Sequence, residues 1–80
     1  MEDRDIVREI GRLADEEHLL ERRAAGEPLS EDEQRTLAEL EVQLDQCWDL
    51  LRQRRARRHA GQDPDDAAVR PASTVEGYKQ

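Results

Sequence analysis

Apolar residues recur along two stretches of this chain at steps of three and four. In the first stretch they are Ile6, Ile10, Leu13, Leu20 and Ala24, and Glu17 stands at the one position where an apolar residue is missing. Such steps place side chains on one face of an α-helix. Val7 and Ala14 widen that face. The pattern predicts a helix over 4–25, with Asp3 or Asp5 as its N-cap and acidic residues suited to the positive end of the helix dipole. The second stretch carries Leu37, Leu40, Leu44, Cys47 and Leu51, and predicts a helix over 31–60. Trp48 and Leu50 broaden its apolar face in the second half.

The residues between the stripes separate the two helices. Gly26 is placed to supply a left-handed cap, and Pro28 has no N–H with which to continue the helix. Ser30-Glu31-Asp32-Glu33 reads as a capping box, with the Ser30 hydroxyl and the Glu33 carboxylate satisfying each other's backbone N–H. A connector of about five residues makes the helices run antiparallel. Gly61 marks the end of the second helix. The expected fold is therefore all-α: an antiparallel two-helix hairpin over 1–61 followed by an acidic, Pro-containing tail over 62–80. That tail is expected to be irregular apart from one helical turn near 64–69. Val75 and Tyr78 are too few to order it, so removal of 72–80 is expected to cost little stability.

A hairpin of two amphipathic helices buries a single seam and leaves one side of Trp48, Leu50 and Leu51 wet. Pairing two hairpins into a four-helix bundle is the usual remedy. A homodimer is expected, with Ile6, Ile10, Leu13, Leu20 and Leu37 in its core together with Leu40, Leu44, Cys47, Trp48 and Leu51. A separate protein partner would give the same cover.

Composition narrows the functional classes. Eighty residues make one domain at most. Charged residues are 41% and aromatics 2% of the chain, close to a disordered composition, and the two stripes decide for order. Cys47 is the only cysteine, which excludes an internal disulfide and fits a reducing compartment. The acidic start, Met-Glu-Asp-Arg-Asp, has no apolar export segment, and no apolar run approaches the roughly 20 residues of a membrane span. A cytoplasmic protein is expected. The net charge of −7 argues against nucleic acid as a ligand.

Four groups could carry chemistry. Glu17 is either a buried carboxylate that binds a metal or fixes register, or a partly exposed acid whose stem packs on the stripe. Asp15 and His18 stand three apart, as in the Glu-x-x-His of ferritin-like hairpins. A small metal-binding hairpin using Asp15, Glu17 and His18 is thus an alternative, though the second helix holds no matching motif. Cys47 has no neighbouring base to activate it and reads as a small apolar residue. Arg52, Arg54, Arg55, Arg57 and Arg58 fill the end of the second helix. There they suit the helix dipole and lie within reach of Glu2, Asp3, Asp5 and Glu9, or form a docking patch for a partner, nucleic acid being the least favoured. No Ser-His-Asp set, Gly-rich phosphate loop or zinc spacing is present. Neither enzymatic activity nor a cofactor is expected. The leading reading is a small interaction or scaffold protein.

The run Leu40-Glu41-Val42-Gln43-Leu44-Asp45-Gln46-Cys47-Trp48-Asp49-Leu50-Leu51-Arg52-Gln53-Arg54-Arg55-Ala56, with Asp15-Glu16-Glu17-His18 and Val75-Glu76-Gly77-Tyr78, resembles a family of short bacterial proteins known only as a domain of unknown function. The resemblance covers nearly the whole chain. It implies a stand-alone helical protein of this size and brings no activity, cofactor or site residue. Lys79 stands where that family carries an apolar residue, which argues against deep burial of the tail's end.

Overall fold

A computed structural model describes residues 1–76 of the chain; Tyr78 and Lys79, noted above, lie outside the described residues. Two long helices form the hairpin, α1 over Asp3–Gly26 and α2 over Glu31–His59. A 3-10 turn over Pro64–Asp66 and a short helix α3 over Ala72–Glu76 follow, and both pack on α2. The described residues contain no strand.

The helix ends show which local signals act. Ser30 Oγ accepts from the Glu33 N–H at 3.1 Å, and the Glu33 carboxylate accepts from the Ser30 N–H at 3.0 Å, as the capping box requires. Gly61 adopts φ 74°, with Gly61 N–H donating to the Arg58 carbonyl and Gln62 N–H to the Arg57 carbonyl. This pair of bonds closes α2 as a Schellman motif. Gly26 differs from expectation, because it remains the last residue of α1 and takes no left-handed conformation. Glu27 makes the exit instead, at φ −145° and ψ 146°. Proline excludes the helical region for the residue before it, so Pro28 stops α1 by acting on Glu27. At the other end of α1 the N-cap is Glu2, whose N–H donates to Asp5 at 2.9 Å. Asp3, expected as a cap, is turned toward α2.

Ile6, Ile10, Leu50 and Leu51 form the buried cluster, with Leu44, Cys47 and Ala67 packed against it. Leu13 and Leu40 are buried as well. Ala67 belongs to the tail, so the tail helps to close the core. The Gln53 side chain donates to the Ala68 carbonyl at 2.8 Å and the Gln46 side chain to the Arg70 carbonyl at 3.2 Å. The tail thus runs as a strap along the Gln46–Asp49–Gln53 face of α2. Helix α3 departs from the expectation of a tail irregular beyond one turn near 64–69, and it places Val75 at 2% exposure. One valine is enough because the strap's polar bonds have already brought the backbone to α2. Val75→Ala is expected to destabilise the fold by about 1–3 kcal/mol, the loss from deleting two buried methyl groups and leaving a void. Urea denaturation followed by circular dichroism measures it; an unchanged midpoint would show that α3 is not held.

Candidate interaction surfaces

The strap is fastened by two charged centres. Asp49 is 1% exposed, and its carboxylate receives the Arg70 guanidinium through both oxygens and the Gln53 amide at 2.9 Å. The Arg70 hydrogen bonds, with help from Gln53, hold the Asp49 carboxyl below its ordinary range against the opposing effect of burial. The second centre is Arg54, buried at the end of the hairpin. It donates to Asp3 at 2.6 Å, to Asp65 at 3.0 Å and to the Pro64 carbonyl at 3.2 Å. Arg58 joins Asp3 from the solvent side at 2.5 Å. Asp3 is held below its usual range by Arg58 first and Arg54 second. Arg54 ties α1, α2 and the tail together, so it serves the fold and is not available for docking. Of the arginines expected to reach the acidic start of α1, Arg54 and Arg58 meet Asp3. Arg52, Arg55 and Arg58 are exposed, and Arg57 is half-buried.

Neither Asp49 nor Arg70 was singled out by sequence. A signal was present: Gln46, Asp49 and Gln53 line one face of α2 at steps of three and four, an amide–acid–amide row suited to holding backbone.

The predicted core residues divide by flank. Ile6, Ile10, Leu13, Leu40 and Leu51 are buried in the seam, while Leu20, Leu37, Leu44 and Cys47 are half-buried. Trp48 is 45% exposed and Val7 52%. On the strap side, an apolar cleft of about 230 Å³ lies between α1 and α2, with Glu9, Leu13, Gln46, Cys47, Leu50 and Val69 among its walls. Burial raises the Cys47 thiol above its ordinary pKa, which keeps it protonated and unreactive. On the opposite side, Glu17, Glu41, Leu44, Asp45 and Trp48 line a second cleft. Burial, then the charges of Glu21 and Glu41, raise the Glu17 carboxyl.

That geometry separates the candidate metal ligands. Glu17 faces α2, whereas Asp15 and His18 line a shallow depression with Leu19 and Arg22. Among the described residues no group of three or more His, Cys, Asp or Glu side chains is placed to hold a metal. Nor is any helix of the described residues long and apolar enough to cross a membrane.

The fold and its surfaces define a strapped helical hairpin: two antiparallel helices, a tail fastened across one flank and, on the other, an exposed Trp48 set among charged side chains. The chain belongs to the family described as protein of unknown function DUF2630, which it matches over residues 2–80. It is similar to the uncharacterized protein Rv0898c of Mycobacterium tuberculosis and to the uncharacterized protein Mb0922c of Mycobacterium bovis. Each is 49% identical over 77 residues, spanning 95% of this chain and 88% of the relative. No solved structure matches it.

Proposed function

We propose that this protein is a small cytoplasmic interaction module that works by packing helices, first of all those of a second copy of itself. The observation that supports this most is the open flank: Trp48, the chain's only tryptophan, is half exposed beside Leu44 while smaller residues fill the seam. Tryptophan is the residue most enriched where binding energy concentrates. Stable domains stack two layers, and this hairpin is one layer with a strap on one side. The lone Cys47 fits a reducing compartment. Sedimentation equilibrium of the full chain is expected to show dimers at micromolar concentration. A folded monomer of 9.3 kDa at every concentration would contradict the reading.

A further inference from the structure

The two flanks of the hairpin are chemically different. In α1, Ile6, Glu9 and Leu13 line the strap-side cleft. The α-helical period then places Val7, Gly11 and Ala14 on the other side of the seam. In α2, Gln46, Asp49 and Gln53 are occupied by the strap, and Trp48 lies on the flank away from it. The register follows from Arg54 meeting Asp3 and Glu33 meeting Arg23, and it sets Trp48 near the level of Arg8 and Glu9, between Val7 and Gly11. A Cβ built on Gly11 meets nothing within 4 Å, as an open surface requires. The centre of this flank is therefore Trp48, with Val7 and the bare backbone of Gly11 on either side of its level.

Charge is arranged around that centre in a particular order. Glu41 lies seven residues before Trp48 and Arg55 seven residues after it. At 1.5 Å per residue each is about 10 Å away along the helix. Asp45 and Arg52 stand closer in, three before and four after. Glu17 of α1 joins the acidic side, where its neighbours Glu21 and Glu41 disfavour its charge. Arg52 and Arg55 are exposed on the basic side. One half of the flank is acidic, the other basic, and the apolar residue sits midway.

We infer that a second copy of this chain covers this flank, its helices antiparallel to the first, about a two-fold axis that crosses the helices at Trp48. This rests on the self-association proposed above and fixes its geometry. An axis at Trp48 brings the level of Glu41 onto Arg55 of the other copy, and the level of Asp45 close to Arg52. Val7 comes close to the level of Gly11, so a larger side chain meets the residue with none. The alternative two-fold axis, parallel to the helices, would set Arg against Arg and acid against acid, an arrangement that like-charge repulsion disfavours. The strap side is left free in both copies.

Two charge-reversed chains test this, each with its helicity checked by circular dichroism. One carries Arg52→Glu with Arg55→Glu; the other carries Glu41→Arg with Asp45→Arg. Each alone should dimerise at least about tenfold more weakly than the wild type at low salt, because attraction becomes repulsion at both ends of the interface. Mixed in equal amounts, the two should form a heterodimer of near wild-type affinity, since both ends are then matched again. Recovery on mixing also shows that neither chain had simply failed to fold. Wild-type dimers that persist unchanged in both variants, with no gain on mixing, would overturn this geometry and leave self-association standing. A wild type that is monomeric throughout would overturn both.

Discussion

Arg70→Ala is expected to lower stability by about 2–4 kcal/mol, close to the range for removing one partner of a buried pair and reduced because Arg70 itself is partly exposed. In a domain of this size that corresponds to a fall in melting temperature of roughly 10–25 °C at fixed protein concentration. The reason lies in what remains. Asp49 would keep a carboxylate at 1% exposure with the Gln53 amide as its remaining side-chain hydrogen bond and the charge of Arg52 nearby, and the strap would lose its anchor between Ala67 and Val75. The pH dependence gives the same pair a sign. A carboxyl held below its unfolded value, about 3.9 for Asp, stabilises the fold fully above that pH. The contribution disappears as pH falls through the lower folded value. Asp3 and Asp49 both behave this way. Glu17 has the opposite sign, because its raised carboxyl favours the fold when protonated. The stability gap between wild type and Arg70→Ala should therefore be widest near neutrality and close as the solution is taken below about pH 4. Thermal melts across that range measure it; a constant gap would show that Asp49 is not the partner that matters.

Trp48→Ala is expected to have the largest effect on assembly. Truncating a tryptophan at the centre of an interface costs about 2 kcal/mol or more, and a two-fold dimer loses it twice. The dissociation constant should rise roughly a thousandfold. The hairpin itself should lose only about 1 kcal/mol, because Trp48 is half solvated within one copy. Loss of dimer with the helical content retained is the expected pair of results. Equal losses of both would assign Trp48 to the hairpin's own core.

The elements of this fold were legible wherever a local rule decided them. The 3-4 spacing of Leu37, Leu40, Leu44, Cys47 and Leu51 needs only the helical period to be read as a buried face. Ser30 and Glu33 are a reciprocal pair three residues apart, and Gly61 a residue suited to φ 74°. Pro28 stops α1 as its place in the sequence predicts, but it does so through the steric restriction on Glu27, and Gly26 is not needed as a left-handed cap. Less was legible where contacts join residues distant in sequence. Arg70 and Asp49 are separated by 21 positions, and Arg54 and Asp3 by 51, so no periodicity links them. Val75 reads as a lone apolar residue in a polar tail, and its burial depends on bonds made by Gln46, Gln53 and Arg70 before it. The stripe also overstated its own uniformity. Trp48 and Leu50 both widen it, but on opposite flanks: the strap covers Leu50 and leaves Trp48 exposed. That division supplies the asymmetry on which the proposed function rests.

Trp48 fluorescence tests that proposal most directly, because the chain's only tryptophan lies at the centre of the face in question. The full-length protein is diluted from high micromolar to nanomolar concentration, and the emission maximum and acrylamide quenching are followed. Covering of the open flank by a second copy predicts a blue-shifted, poorly quenched tryptophan at high concentration. On dilution it should become red-shifted and readily quenched along a single dissociation curve, with the far-ultraviolet helical signal retained. A tryptophan equally exposed at every concentration, in a chain that stays helical, would contradict the account.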